Sequence, residues 1–158
     1  MQHPLPLQVL PLSAEFVERL ASIDREGGEG YWNSEDFTNA MASDFRSSVL
    51  VSDGVAIGWS IARKTGGTAH LYNLTIAPAY RGLGLCRFML DELTCWAHEQ
   101  NIPCVWLEVR AGNTRAIDIY LRYGFAAVGS RRLYYNRPDG SWEDGILMSC
   151  KSRRVQCP

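Results

Sequence analysis

The stretch Asn73–Leu90, NLTIAPAYRGLGLCRFML, decides the fold. Its first half is β-branched and apolar and reads as a strand. Arg81, Gly82 and Gly84 then make a turn, and an amphipathic segment follows at once. Leu85, Met89, Leu93 and Trp96 recur at helical spacing, so the unit is strand, glycine turn, helix. Glycine allows close backbone approach, and the amides at a helix start receive phosphate oxygens. Arg81 and Arg87 add positive charge nearby.

The turn lacks the closing Lys-Ser/Thr of a P-loop and the full dinucleotide fingerprint, which disfavours nucleotide hydrolysis and hydride transfer. An acyl carrier with a pyrophosphate, such as coenzyme A, suits it better, because such a ligand asks for phosphate donors without a catalytic magnesium site.

Upstream, SSVLVSDGVAIGWSIARK reads as two strands around Asp53 and Gly54, a favoured hairpin turn. A second turn at Gly66 and Gly67 leads into AHLYNLTIAP, so three consecutive antiparallel strands are expected before residue 78. Residues 5–10 form a first strand, with Pro4 and Pro6 favouring an edge or start position. Ser13 caps a helix to about Arg25, with Phe16, Val17, Leu20 and Ile23 as its apolar stripe. After the loop REGGEGYWNS a second helix begins past Ser34, presenting Phe37, Ala40 and Met41.

Downstream, Pro103 stops the long helix and CVWLEVR is a strand. Asn113 caps a helix carrying Ala116, Ile117, Tyr120 and Leu121, which Gly124 ends. FAAVGSRRLYY and WEDGILMSC close the chain as a hairpin around RPDGS. The fold class is α/β, a mixed and largely antiparallel sheet flanked by helices. At 158 residues one domain is the default, over 1–150, with 151–158 a frayed tail.

Composition fits a folded globular chain, with 46% hydrophobic and 21% charged residues. The net charge of -1 hides an asymmetry. Residues 1–50 hold eight acidic against three basic side chains, and 51–158 hold nine against thirteen. The acidic part suits a basic partner and the basic part suits phosphates, or both are ordinary solvated surface. The cysteines, 86, 95, 104, 150 and 157, are odd in number and contain no C-x-x-C pair, so neither a disulfide framework nor structural zinc is expected. Histidines 3, 70 and 98 are too dispersed for a metal cage. No apolar run nears the roughly 20 residues of a membrane span, and the opening has no signal-type segment, so a cytoplasmic protein is expected.

The other informative stretch is residues 105–120, VWLEVRAGNTRAIDIY. Strand alternation puts Val105, Leu107 and Val109 on a core face, and Cys104, Trp106, Glu108 and Arg110 on the other. A buried carboxylate needs a partner, so Glu108 pairs with Arg110 or another base, or else faces a wet cleft. Taken alone, Tyr120 reads as a core aromatic on the inward stripe of the next helix.

Together these stretches resemble the Gcn5-related N-acetyltransferase (GNAT) family, in particular its bacterial ribosomal-protein alanine N-acetyltransferases. The likeness covers most of residues 5–150 and is strongest in NLTIAPAYRGLGLCR, WLEVRAGNTRAIDIYLRYGF, RRLYY and WEDGILM. It implies the GNAT acyl-CoA N-acyltransferase fold and acetyl-coenzyme A as acetyl donor. In the family's cofactor motif Arg81 takes the first place, Gly84 the glycine and Cys86 the final small position, where Cys is a departure. The resemblance implies that Leu74, Thr75 and Ile76 run beside the acetyl-pantetheine arm, with backbone N–H groups near Ile76 polarising the thioester. It places Arg81, Gly82, Leu83, Gly84, Leu85, Cys86 and Arg87 around the pyrophosphate and Asn113 near the thioester.

By the same resemblance Glu108 is the general base and Tyr120 the general acid of a direct transfer in a ternary complex. Cys86 is an alternative nucleophile, but no Cys-His arrangement activates it. The implied partner is the N-terminal alanine peptide of a small-subunit ribosomal protein, met by Tyr31, Trp32, Glu35, Trp106 and Tyr134. The family's Pro-Trp-Ser-like segment is altered here to Tyr31, Trp32, Asn33 and Ser34. Alternatives are another protein N-terminus, a lysine or a small amine, or a noncatalytic acyl-CoA-binding module. Arg131, Arg132 and residues 151–154 are basic enough to meet RNA, but no direct nucleic-acid role and no metal are expected.

Overall fold

The computed structural model describes residues 6–27 and 32–154. Its elements are β1 (Leu7–Pro11), α1 (Ala14–Gly27), α2 (Ser34–Asn39), β2 (Phe45–Ser52), β3 (Val55–Thr65), β4 (Thr68–Ile76), α3 (Leu85–Glu99), β5 (Cys104–Arg110), α4 (Thr114–Tyr123), β6 (Ala126–Asn136) and β7 (Trp142–Lys151). The order is the one expected from sequence, apart from a short 3-10 turn at Pro78–Tyr80. One mixed sheet has the strand order β1-β2-β3-β4-β5-β7-β6. The ladders β1-β2, β2-β3, β5-β7 and β7-β6 are antiparallel, whereas β4 and β5 run parallel over Ala69–Leu71 and Val105–Leu107.

The described residues fall into two compact units. The first takes the chain up to Lys64 together with Asn73–Leu90, and the second takes Thr65–Tyr72 and the chain from Asp91 onward. In the first, the alternation of β2 and β3 sends side chains to two cores. Val49, Val51, Trp59 and Ile61 pack with Leu20 and Ile23 of α1 and Phe37 of α2. Leu50 and Ile57 pack with Ile76 and with Leu85 and Met89 of α3. Asp53 and Gly54 both adopt positive φ, 49° and 78°, which a two-residue hairpin with a primed turn demands. α2 is only six residues, so its expected face is cut short: Phe37 and Ala40 are buried but Met41 is exposed. Asn33 and Asp36 close a reciprocal capping box at its start.

In the second unit β5 alternates as expected, with Val105, Leu107 and Val109 buried. α4 runs from its Asn113 cap to Gly124, whose φ is 124°. Its phase differs from the expected stripe, since Tyr123 is buried while Leu121 is 52% exposed. The Tyr123 hydroxyl meets Thr94 at 2.8 Å and donates to Asp91 at 2.9 Å. Ser152 and Arg153 are held rather than frayed: Ser152 N–H donates to Pro103 O at 3.0 Å or less, and Arg153 Nη2 donates to Tyr123 O at 2.8 Å. Cys86, Cys104 and Cys150 are free thiols.

Candidate functional site

The glycine turn lies in the first unit. Ile76 is buried and Leu74 leans on the core made by Leu50, Ile57, Leu85 and Met89. Thr75 Oγ1 donates to Asn73 Oδ1 at 2.9 Å. Ala77 N–H donates to Ile57 O at 2.8 Å, and the chain then turns through Pro78–Tyr80. Arg81 Nε donates to Ile76 O at 3.0 Å and its Nη2 donates to Gly27 O. The guanidinium thus ties the turn to the end of β4 and to the end of α1. Gly27 has to be glycine for this, because a Cβ there would fall 2.1 Å from Pro78 Cγ. Sequence reading gave Arg81 a phosphate-binding charge; the geometry gives it a positioning role as well.

Gly82 and Gly84 have φ values of 80° and 76°, in the region that favours glycine. A side chain on Gly82 would meet nothing within 4 Å, and Leu83 is 44% exposed. The turn therefore presents open backbone. Leu85 is buried and Cys86 partly so, which anchors the start of α3 while Arg87 stays exposed. The first helical bond of α3 runs from Phe88 N–H to Gly84 O at 3.2 Å. The amides before it point out along the axis of a 15-residue helix. An exposed left-handed glycine turn, first-turn amides and Arg87 are a donor set that fits the pyrophosphate of coenzyme A.

The second unit holds the acid-base candidates. Asn113 Oδ1 accepts from Ala116 N–H at 3.2 Å as the cap of α4. Tyr120 is half-buried, with its ring centroid 5.5 Å from that of Phe125. Its carbonyl accepts from Gly124 and Phe125 N–H at 3.2 and 2.9 Å, which fixes the helix end beneath it.

Glu108 does not pair with Arg110. Its carboxylate, with a side chain only 8% exposed, meets Arg131 Nε at 3.0 Å, and the Tyr134 hydroxyl donates to it. That bond pushes the Tyr134 phenol above its ordinary value, burial and the Glu108 charge add to the rise, and Arg131 opposes it. Arg131 is the last β6 residue in register with β7 before an irregular stretch, and Tyr134 lies inside that stretch, which ends at Tyr135. Leu133 sits at φ 49° inside the same stretch, its N–H donating to Asp144 Oδ1 at 2.8 Å. Arg110 instead meets Glu143 at 3.1 Å.

Trp106 faces the same side as Glu108 but is not core. Its ring stacks on His70 at 3.7 Å between centroids and 11° between planes, and its Nε1 donates to Thr68 Oγ1 at 3.2 Å. His70 also lies 4.0 Å from the Tyr72 ring. Burial lowers the His70 pKa; Glu108 opposes that fall and Arg131 adds to it. Arg131, His70 and Tyr72 were not named as site residues from sequence. The signal available was RRLYY for Arg131 and the β4 alternation that puts His70 and Tyr72 on one face.

The expected peptide contacts are drawn from both units. Tyr134 stands with Glu108 and Trp106 stands nearby on β5, while Trp32 and Glu35 belong to the first unit. Trp32 packs on the first core, its ring 5.4 Å from Phe37 and its N–H donating to buried Asp24 at 2.9 Å. Glu35 is exposed in the first turn of α2. Tyr31 lies outside the described residues. Among the described residues no group of three or more His, Cys, Asp and Glu side chains is placed to hold a metal, and no helix is long and apolar enough to cross a membrane.

The Acetyltransferase (GNAT) family model matches residues 15–125. The chain is 30% identical to the [Ribosomal protein bS18]-alanine N-acetyltransferase of Haemophilus influenzae over 133 residues, covering 84% of this chain and 90% of that protein. It is 31% identical to the enzyme of that name from Escherichia coli over 118 residues, covering 75% and 79%. The crystal structure of the ribosomal-protein-S18-alanine N-acetyltransferase from Escherichia coli superposes with a TM-score of 0.85 at 26% identity, covering 94% of this chain and 96% of that one. Arabidopsis thaliana NAA60 in complex with acetyl-CoA shares the fold, with a TM-score of 0.80 at 23% identity. The chain belongs to the Acetyltransferase (GNAT) family and is an acetyl-CoA-dependent N-acetyltransferase.

Proposed function

We propose that the protein acetylates the α-amino group of an N-terminal alanine, with ribosomal protein bS18 as its substrate and the cytoplasm as its place of work. The relatives from Haemophilus influenzae and Escherichia coli carry that activity in their names and support the substrate. The observation that carries the chemistry is Glu108, a carboxylate inside the protein yet joined to solvent through two half-exposed partners, Arg131 and Tyr134.

Acetyl-coenzyme A supplies the acyl thioester that the amine attacks. Gly82 and Gly84 present backbone amides to the pyrophosphate, and Arg81 holds the turn in place. Glu108 accepts a proton from the substrate ammonium, freeing the nitrogen lone pair to form the amide bond. Tyr120 gives its hydroxyl proton to the departing thiolate sulfur. Asn113 holds the start of α4, and so the helix that carries Tyr120. Tyr134 donates to Glu108 and keeps it oriented. Trp32 and Glu35 contact the peptide beyond its first residue, and Trp106 shapes the approach to Glu108.

The test is to incubate the purified chain with acetyl-coenzyme A and a peptide with the bS18 N-terminal sequence, then locate the acetyl group by fragmentation mass spectrometry. Acetyl on the α-nitrogen is the expected result. Acetyl only on lysine side chains or only on free polyamines would overturn the substrate. Tyr120→Phe lowers turnover about 100-fold if the hydroxyl is the acid, and unchanged turnover across pH removes that role.

A further inference from the structure

The Glu108 and Arg131 pair is unequally placed. The Glu108 side chain is 8% exposed and that of Arg131 is 48% exposed, so the guanidinium stands between the carboxylate and solvent. We propose that Arg131 is a resident counter-ion of Glu108, holding the position that the substrate ammonium takes when it binds. The proposal rests on Glu108 being the base of the proposed function.

A carboxylate this far inside is costly without a cationic or hydrogen-bonding partner. Arg131 meets that need while no substrate is bound. An ammonium carries the same charge and also donates hydrogen bonds, so exchanging one for the other leaves the local charge unchanged. Tyr134 donates to Glu108 in either state, so the carboxylate is never without a donor. A displaced Arg131 has a resting place too, because its guanidinium already lies 5.4 Å from the centroid of the Tyr134 ring.

The irregular stretch makes the motion local. β6 leaves its register with β7 between Arg131 and Tyr135, so Arg131 swings without breaking a regular ladder beyond it. The neighbouring guanidinium is not a substitute: Arg110 is held by Glu143, by Asn136 O at 3.2 Å and by the Tyr135 ring at 4.6 Å. The remaining titratable groups around Glu108 are His70 and Tyr72 of β4 and Tyr134 of β6. In the reaction the substrate N–H bond breaks and an O–H bond forms on Glu108. Arg131 keeps its proton throughout, and Glu108 afterwards releases its proton to water.

Arg131→Met, Arg131→Lys and Glu108→Gln are compared in the full chain by measuring kcat and KM for an alanine-terminated peptide against pH. The Met variant is expected to lower KM for the peptide about threefold, because the amine no longer displaces a resident cation. The Lys variant keeps KM near that of the parent, and free guanidinium ion added to the Met variant raises its KM again. A raised or unchanged KM in the Met variant while Glu108→Gln is inactive overturns the exchange. Full turnover in Glu108→Gln would instead remove the base assignment. Should the Met variant fail to fold, Arg131→Gln gives the same reading.

Discussion

Two residues apart on β5, Glu108 and Arg110 enter ion pairs of opposite character. Glu143, the partner of Arg110, is held by Arg110 at 3.1 Å, by Gly112 N–H at 3.2 Å and by Arg137 at 3.5 Å. The side chains of Arg110 and Glu143 are 15% and 10% exposed, so both ends of that bond are inside. Glu108 is inside but its cation is half in water. The Glu143 pair resembles a clasp, with donors that hold β5, the turn after it and the β6-β7 hairpin together. The Glu108 pair has one end in solvent. Partner exposure alone does not separate the two, because Arg137 on Glu143 is 47% exposed as well; the difference is that Glu143 also has the buried Arg110.

The sharpest way to break this comparison is to neutralise each carboxylate in turn. Glu108→Gln keeps shape and one acceptor but cannot take a proton, so turnover at neutral pH is expected to fall about 10² to 10⁴-fold with little change in melting temperature. Glu143→Gln removes the charge that two arginines share, so its melting temperature falls while turnover per folded molecule is retained. Steady-state kinetics and thermal unfolding on the two variants measure both. The reverse pattern would make Glu108 the clasp and Glu143 the working group.

Much of this was legible in the sequence where the physics is local. Asp53 and Gly54 announce their hairpin because the turn itself needs positive φ at both positions. Val105, Leu107 and Val109 announce the buried face of β5 because alternation is built into a strand. The failures are non-local. Choosing Leu121 rather than Tyr123 for the inner side of α4 was an error of phase, settled by Thr94 and Asp91 about 30 residues away in sequence. Arg131 could not be matched to Glu108 because a bulge breaks the alternation of β6, and the Asp144 that steadies it lies across the hairpin. The second role of Arg81, as a tie to Gly27 O, is hidden for the same reason, because its acceptor lies 54 residues earlier.

A change that touches both clusters at once comes next in size. Gly145 is buried on β7, and a Cβ there would lie 3.0 Å from Tyr135 Cε2 and 3.4 Å from Tyr134 Cδ1. Tyr135 carries Arg110 on its ring and Tyr134 donates to Glu108. Gly145→Ala therefore crowds the tyrosines beside Arg110 and Glu108 together, with a stability loss of about 1 to 3 kcal/mol, the usual range for overpacking. Turnover falls with it, unlike in Glu143→Gln. Urea unfolding and kinetics on the same preparation separate the two cases.

The smallest expected effect is a pH dependence that only one cluster shows. Burial against Trp106 and Tyr72 lowers the His70 pKa, so the folded chain favours neutral imidazole. A folded value below the unfolded one means that the His70 contribution is complete above about pH 6.5, the ordinary histidine value. It is lost as pH falls through the lowered folded value. Glu143 behaves otherwise in that window: desolvation pushes its carboxyl up, but hydrogen bonds from Arg110, Gly112 and Arg137 pull it further down, leaving it below its ordinary value and ionised at pH 5. Urea midpoints taken from pH 7.5 to 5 should decline in the parent and in Glu143→Gln, and decline less in His70→Gln. An equal decline in all three would place the titrating group elsewhere, and the Glu108 side of β5 would then lose its claim to be the more responsive of the two.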